Sequence, residues 1–152
     1  MSKDKLLVEA ICNGTVLDHI PSDKLFAIVA MLELDKAETP ITIGNNLDSR
    51  RVGRKGVIKI TDRFFSDEEI SRIAIVAPSI RLNIIRDYEV VEKKIVPLPE
   101  TVVGLVRCSN LKCITNAEPM PTRFVVGQHE EEVCLTCHYC GRSVRGENCE
   151  LL

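Results

Sequence analysis

Apolar and polar residues follow one another along the first ninety-odd positions of the 152-residue chain in patterns typical of alternating strands and helices. Leu6–Ile11 predicts a strand, and Asn13-Gly14 predicts a hairpin turn into Thr15–Leu17. A helix is predicted next, because Pro21-Ser22-Asp23 is a helix-start signal. The apolar residues that follow, at the spacing i, i+3, i+4 and i+7, are Leu25, Ile28, Val29 and Leu32.

Two further strands are predicted on either side of a polar segment. Pro40–Gly44 predicts a short strand, and Val57–Thr61 alternates so that Ile58 and Ile60 share one face. The intervening Asn45–Gly56 is polar and basic, so we expect a solvated loop there. Its basic residues are Arg50, Arg51, Arg54 and Lys55.

A second helix is predicted after Ser66-Asp67-Glu68-Glu69, which has the spacing of a capping box. The apolar face of this helix would bury Ile70, Ile73, Ala74 and Ala77, and Pro78 would end it. Strands are predicted over Ile80–Ile85 and Tyr88–Lys93. Because two helices cannot cover both faces of such a sheet, the expected fold class is α+β, a ferredoxin-like antiparallel sheet with two helices on one face.

Pro97-Leu98-Pro99 is the natural linker, which predicts domains at residues 1–97 and 98–152. The second domain is short and poor in apolar residues, and chains of this size commonly depend on a metal or on disulfides. We therefore expect a small all-β, zinc-ribbon-like domain that folds around a metal.

Six of the seven cysteines lie in that second domain. Cys108-x4-Cys113 and Cys137-x2-Cys140 form two chelating loops, and four thiolates suit tetrahedral zinc. Such a closed set leaves no position for substrate, so one structural Zn²⁺ per chain is expected. Cys134-x2-Cys137 overlaps the second loop and could replace it, but Gly141 favours the later pair because glycine allows the chain to turn back. The ordinary thiols would then be Cys12, Cys134 and Cys149.

Other interpretations of the cysteines are weaker. A redox Cys-x-x-Cys pair normally begins a helix in a thioredoxin-like context, whereas the residues around Cys137 favour strand and turn. A disulfide scaffold would leave one of the seven cysteines unpaired, and the N-terminus shows no secretion signal, so disulfides are not expected. For the same reason we expect a cytoplasmic protein. His129 and His138 could each be a ligand, although a lone histidine is more often solvated.

Composition and charge narrow the class of function. Apolar residues make up 45% and charged residues 28%, as in soluble globular proteins, and no apolar run is long enough to span a membrane. The net charge is −2, and four thiolates on Zn²⁺ would add −2 to an already acidic second domain. A protein partner is therefore favoured over nucleic acid, and a zinc-ribbon nucleic-acid-binding protein is the alternative. No nucleophile–base pair or phosphate loop indicates an enzyme.

Six segments stand out in order along the chain: Val8-Glu9-Ala10-Ile11, Gly14–Pro21, Gly53-Arg54-Lys55, Ile58-Lys59-Ile60, Asp87–Val91 and Cys108–Pro119. Together they resemble the regulatory chain of aspartate carbamoyltransferase. The resemblance implies a non-catalytic subunit of pyrimidine biosynthesis whose N-terminal domain binds ATP as activator or CTP as inhibitor, aided by UTP in some members. It also implies pairing with a second regulatory chain and a zinc domain that docks on the catalytic chain. In the family, regulatory dimers hold two catalytic trimers together.

The resemblance also implies a nucleotide site. Lys59 and Lys93 match the lysines that contact phosphates, and a one-residue shift would exchange Lys93 for Lys94. Asp18 matches the carboxylate for the ribose hydroxyls, and His19 falls where the phosphates approach. The other positions carried over are Val8, Glu9, Ala10, Ile11, Tyr88 and Val90 near the base, Asn83 and Ile85 near base and ribose, and Lys55 as a further candidate.

Overall fold

The computed structural model describes residues 11–49, 53–129 and 132–152. The predicted strand Leu6–Ile11 therefore lies almost wholly outside the described residues, as do Val8, Glu9, Ala10, Arg50 and Arg51. Contacts divide the chain into an N-terminal unit, made of the described residues up to Ser66 and Ser79–Ile95, and a C-terminal unit, made of Asp67–Pro78 and Val96–Leu152. The division at the proline linker into residues 1–97 and 98–152 stays a prediction.

The N-terminal unit is a five-stranded antiparallel sheet with one helix. Its elements are β1 (Gly14–Pro21), α1 (Leu25–Met31), β2 (Ile41–Ser49), β3 (Gly53–Thr61), β4 (Arg81–Arg86) and β5 (Glu89–Ile95). The strand order is β2-β3-β1-β4-β5. With the helix α2 (Asp67–Val76) between β3 and β4 along the chain, the succession is the βαββαβ of a ferredoxin-like fold, to which β5 adds an edge strand. The predicted α+β class is confirmed.

One face of this sheet is apolar and buried. Leu17 of β1 lies opposite both Ile58 of β3 and Leu82 of β4, and all three side chains are buried. α1 approaches the same face closely at Gly56, where a Cβ atom would lie 2.5 Å from Leu25 Cδ1. Because side chains alternate along a strand, the residues between these apolar positions point to the opposite face. That opposite face carries the polar residues of interest.

The prediction of a loop over Asn45–Gly56 is wrong. β2 continues to Ser49 and β3 begins at Gly53, with Asp48 opposite Arg54. A β-bulge interrupts the pairing between Gly44 and Leu47. The pattern failed because this end of the β2–β3 hairpin consists mostly of polar residues, so it does not show apolar alternation. Backbone hydrogen bonds between the two strands hold it together instead.

The C-terminal unit contains α2 and short strands. The strands are β6 (Thr101–Val103), β7 (Val106–Arg107), β8 (Arg123–His129), β9 (Glu132–Cys137), β10 (Ser143–Arg145) and β11 (Glu150–Leu151), with a single helical turn, α3 (Ile114–Ala117). They form two antiparallel sheets, β10-β9-β8-β6 and β11-β7. The predicted small β domain is therefore observed apart from one helical turn.

α2 begins and ends close to the predicted positions. Its predicted apolar residues Ile70, Ile73 and Ala74 are buried, and Ala77 just beyond it is buried too. Ile75 is also buried and belongs to the core of the C-terminal unit. The other members of that core are Val102, Val106, Cys108, Cys113, Phe124, Val133, Leu135 and Cys137. None of the helices in the described ranges has the length and apolarity that a membrane-spanning helix needs.

Candidate functional site

Four cysteine thiols converge in the C-terminal unit. Cys108 follows β7, Cys113 immediately precedes α3, Cys137 ends β9, and Cys140 lies in the turn after β9. Their Sγ atoms all lie within 4.8 Å of one another. The Sγ–Sγ distance is 3.5 Å between Cys108 and Cys140 and 3.8 Å between Cys113 and Cys137. These distances are far longer than a disulfide bond. Sulfurs at the corners of a tetrahedron about 2.3 Å from zinc would be about 3.8 Å apart, so the set fits such an ion.

Backbone amides point at each of these sulfurs. The amides of Asn110, Thr115 and Arg142, each two positions further along the chain, donate to Cys108, Cys113 and Cys140 respectively. Cys137 accepts from two amides, those of Cys140 and Tyr139. Gly141, with φ 79°, allows the second loop to turn, and its N–H donates to the Cys137 carbonyl at 2.9 Å. Hydrogen bonds of this kind stabilise anionic sulfur, so both loops are shaped to hold thiolates.

The thiol pKa values separate into two pairs. The Arg142 amide lowers the pKa of Cys140 to about 6, and the Thr115 hydroxyl, 3.2 Å from the sulfur, lowers the pKa of Cys113. Burial raises the pKa of Cys108 to about 12 and also raises that of Cys137. A divalent cation removes the cost of the two buried thiolates, because coordination deprotonates a thiol. The cluster is therefore suited to a cation.

The remaining candidates lie outside this cluster. Cys134 is exposed on β9, where Val133 and Leu135 point to the buried face, so the overlapping Cys134-x2-Cys137 pair is not the one that the fold brings together. His129 and His138 are not among the clustered groups in the described residues. Sequence reasoning missed Asn116, whose side-chain amide donates to the carbonyls of Cys108 at 3.0 Å and Asn110 at 2.8 Å. The polar residues Thr115 and Asn116, which follow two and three positions after Cys113, are the sequence signal that could have indicated this contact.

We expect the metal affinity of the chain to fall steeply as the pH is lowered from about 8 to about 6. Each thiol that binds as thiolate must lose its proton, and each one still protonated at a given pH changes the affinity up to about tenfold per pH unit. Cys108 and Cys137, with raised pKa values, are protonated across this range, whereas Cys140, with its pKa lowered to about 6, contributes only near its lower end. Competition with a chromophoric chelator at several pH values measures this slope. An affinity that does not change over this range would show that thiolates are not the ligands.

The polar face of the N-terminal sheet gathers residues from four strands. Lys59 of β3 lies opposite Val16 of β1, which lies opposite Asn83 of β4, which in turn lies opposite Lys93 of β5. Directly opposed residues share a face of the sheet. The next row on this face contains Asp18, Arg81 and Ile95. The structure therefore brings Lys59, Asn83 and Lys93, which are far apart in sequence, into one row.

An open cavity of about 410 Å³ lies on this side of the N-terminal unit. Its lining residues are Asp18, His19, Arg81, Asn83, Lys93, Lys94 and Ile95. Four predicted site residues are among them, and both Lys93 and its alternative Lys94 line the cavity. The predicted residues not in this lining are Ile11, Lys55, Lys59, Ile85, Tyr88 and Val90. Arg81 lines the cavity and was missed by sequence reasoning.

Asp18 and His19 form the rim where β1 bulges. The bulge lies between Leu17 and Ile20, and His19 has a left-handed backbone with φ 60°. Lys55 Nζ lies 3.0 Å from Asp18 Oδ1. The Ser79 hydroxyl donates to the His19 carbonyl at 2.8 Å. His19 Nδ1 is shielded from solvent, lies 3.8 Å from Asp18 Oδ2 and has no hydrogen-bond partner among the described residues.

The cavity face has a surplus of positive charge. Asp18 is already paired with Lys55, whereas Lys59 and Lys93 have no carboxylate within ion-pair distance in the described part of the chain. Unpaired cations on a rigid sheet are suited to an anion. The arrangement can therefore bind a polyanionic small molecule.

The positions expected near a base lie at the other end of β4. Ile85 is opposite Val90 of β5 and opposite Gly14 of β1. Asp87 and Tyr88 form the two-residue turn between β4 and β5, both with positive φ, as in the turns that favour hairpins. The Tyr88 amide donates to the Cys12 carbonyl at 2.9 Å, and two thirds of the Tyr88 residue surface is exposed.

The fold and the four-cysteine cluster define a small α+β protein with a group of four thiols placed to bind a metal. Two family models match the chain, the allosteric domain of the aspartate carbamoyltransferase regulatory chain over residues 6–97 and its metal binding domain over residues 100–150. The chain belongs to the aspartate carbamoyltransferase regulatory chain family. It is thus a regulatory and not a catalytic subunit, with an allosteric and a metal-binding domain, and it associates with a catalytic chain.

Individual relatives agree with this. The chain is 58% identical to the aspartate carbamoyltransferase regulatory chain of Porphyromonas gingivalis over the full length of both chains. It is 57% identical to that of Phocaeicola vulgatus, with 99% of this chain and 97% of the relative covered. Identity to the archaeal regulatory chain of Pyrococcus abyssi is 43%, with 94% and 95% covered. The family resemblance expected from the sequence is confirmed.

Proposed function

We propose that the chain is an allosteric subunit that binds ATP and CTP, with UTP as a further effector, on the polar face of its N-terminal sheet. The observation that carries this proposal is the row of Lys59, Asn83 and Lys93 across neighbouring strands, with Asp18 in the next row. Lysines are suited to phosphates and a carboxylate to the ribose hydroxyls. The proposed nucleotide site comprises Val8, Glu9, Ala10, Ile11, Asp18, His19, Lys55, Lys59, Asn83, Ile85, Tyr88, Val90 and Lys93.

The charge balance favours a triphosphate over a neutral ligand. Lys59 and Lys93 have no carboxylate partner among the described residues, so their charges are available to phosphates. Base contacts through backbone groups would tolerate both a purine and a pyrimidine, because N–H and C=O groups distinguish bases only by position. Such a site accommodates two effectors with the same triphosphate.

We propose that the metal is one structural Zn²⁺ per chain, held by Cys108, Cys113, Cys137 and Cys140. The distances between their sulfurs suit zinc, and the amides that point at each sulfur stabilise the thiolate form. Four protein ligands leave no open position for a substrate, so the ion would shape the C-terminal unit and take no part in chemistry.

We propose that the C-terminal unit docks on catalytic chains. Leu111, in the first metal loop, has 86% of its surface exposed, and Ile114, directly after that loop, has 51% exposed. Apolar side chains that project beside a metal centre are suited to a protein surface. A second regulatory chain would pair through the N-terminal unit, so that regulatory dimers connect two catalytic trimers in the cytoplasm. Neither nucleic acid nor a membrane is proposed as a partner.

Regulation would then follow from linkage. A nucleotide that binds two quaternary states of the assembly with unequal affinity shifts their populations and so changes catalytic activity. No catalytic group is needed on this chain. Its contribution is a difference in binding free energy between the two states.

Co-assembly tests this proposal directly. The zinc-loaded chain is mixed with aspartate carbamoyltransferase catalytic trimers and analysed by sedimentation velocity, with a zinc-stripped sample as the control. We expect the loaded chain to form a large complex that contains both chains and the stripped chain to leave the trimers unchanged. Trimers that sediment alone in the presence of the loaded chain would contradict the docking proposal.

A further inference from the structure

Thr115 is a buried polar residue beside the four-cysteine cluster, and neither the cysteine spacing nor the family resemblance assigns it a role. It lies in the helical turn α3, two residues after Cys113, and only 9% of its surface is exposed. A threonine in a helix commonly turns its hydroxyl to a backbone carbonyl of the preceding turn. Here the hydroxyl instead lies 3.2 Å from Cys113 Sγ. The buried hydroxyl is therefore satisfied by a sulfur of the cluster.

Cys113 accepts two hydrogen bonds from this one residue. The Thr115 backbone amide donates to Cys113 Sγ, and so does the hydroxyl. A sulfur that turned about the Cα–Cβ bond of Cys113 into another rotamer would lose both hydrogen bonds together. Thr115 therefore fixes the direction in which the sulfur points as well as stabilising its charge.

Water cannot take the place of the Thr115 hydroxyl. Cys113 is only 2% exposed and belongs to the same core as Phe124 and Leu135, whereas Cys140 is exposed. Four thiolates around a divalent cation carry a net charge of −2, and charge in an apolar core is costly unless hydrogen-bond donors face it. Donors aimed at a buried sulfur stabilise that charge, so they favour the metal-bound form of the cluster.

We propose, on the basis of the proposed zinc centre, that Thr115 is a positioning residue of that centre. Its hydroxyl holds the Cys113 sulfur in the direction of the ion and takes up part of the thiolate charge. The hydroxyl contacts the sulfur and not the ion. Residues that act on a metal ligand in this way typically change the metal affinity by about 10- to 100-fold.

Four variants of the full-length chain separate this role from an effect on folding. Thr115→Val and Thr115→Ala remove the hydroxyl, with and without a methyl group in its place, and Thr115→Ser keeps it. Thr122→Val is the matched control. Thr122 is a second buried threonine of the same unit, 4% exposed, and its hydroxyl donates to the Val106 carbonyl and not to a sulfur.

Two measurements are made on each variant. Zinc affinity is measured at one pH by competition with a chromophoric chelator, and the absorption spectrum is recorded with Co²⁺ in place of Zn²⁺. Cobalt occupies the same tetrahedral thiolate sites and has sulfur-to-metal charge-transfer bands, which zinc does not show in the visible range. A thiolate that loses a hydrogen bond gives up an electron more easily, so its charge-transfer band moves to longer wavelength. A loss of fold stability reduces the amount of complex but does not move the band.

We expect Thr115→Val and Thr115→Ala to bind zinc about tenfold more weakly and to shift the charge-transfer band to longer wavelength. Thr115→Ser should match the wild type in both measurements, and Thr122→Val should lower the melting temperature with the band in place. An unchanged zinc affinity without the hydroxyl would overturn the inference. So would a weakened affinity with an unmoved band, or an equal band shift in Thr122→Val, since both indicate a folding effect. A wild-type chain that binds no zinc would instead contradict the proposed metal centre.

Discussion

Replacing Cys113 with serine is expected to abolish zinc binding and to unfold the C-terminal unit. A serine hydroxyl is a poor zinc ligand, and binding of a structural zinc contributes about 10 kcal/mol to folding in small domains. The replaced residue is also buried in the core of that unit, near Phe124 and Leu135. Zinc per chain, measured by mass spectrometry of the metal after dialysis against a mild chelator, should fall from one equivalent to near zero.

Cys134→Ser is the matched control for this variant. Cys134 is an exposed thiol on β9, only three residues from the clustered Cys137, and its sulfur is outside the cluster. This variant should retain one equivalent of zinc and the wild-type melting curve. Retention of a full equivalent by Cys113→Ser would show that the proposed ligand set is wrong. The N-terminal sheet should stay folded in both variants, which ATP binding can verify.

Replacing Lys59 with alanine is expected to weaken ATP and CTP together, each by at least about tenfold. A charged hydrogen bond to phosphate contributes about 1.5–3 kcal/mol, and Lys59 would contact the part that both nucleotides share. It has no carboxylate partner among the described residues, so its removal leaves no acidic group unpaired. Calorimetric titration of the full-length chain with each nucleotide measures the two ratios.

Lys36→Ala is the control for Lys59→Ala. Lys36 is an exposed lysine of the same unit whose Nζ lies 3.0 Å from Glu33 Oε1, and it does not line the cavity, so its removal takes away one positive charge outside the proposed site. Both nucleotide affinities should match those of the wild type. If Lys59→Ala weakened only one nucleotide, its role would be base recognition and the proposed phosphate contact would be wrong.

The sequence predicted the helices and strands between Gly14 and Ile95, wholly or in part, because their apolar patterns were clear, whereas the short strands after Thr101 were expected only as a small β domain. Val57–Thr61 alternates strictly, and Ile58 and Ile60 are fully buried in β3. The paired segments within Asn45–Gly56 were missed because they consist mostly of polar residues and are held by backbone pairing. Pattern methods detect burial, so strands of this kind are invisible to them.

The functional groups were predictable to different degrees. The spacing of the four cysteines is a local pattern that can be recognised in a single sequence, and the fold brings these four thiols together. The row of Lys59, Asn83 and Lys93 depends on the register of four strands, which no local pattern provides. Only the family resemblance indicated it. Arg81 had neither signal, because an isolated arginine at the start of a strand is usually solvated.

The most direct test of the central claim is the response of a reconstituted assembly to nucleotides. Catalytic trimers are assembled with the zinc-loaded chain, and carbamoyltransferase activity is measured against aspartate concentration with no nucleotide, with ATP and with CTP. Free trimers and an assembly that contains Lys59→Ala serve as controls. We predict that both nucleotides displace the aspartate curve of the wild-type assembly and leave free trimers unaffected, while Lys59→Ala requires higher nucleotide concentrations. A wild-type assembly that forms fully, yet has the same aspartate curve at saturating ATP and CTP, would contradict the account.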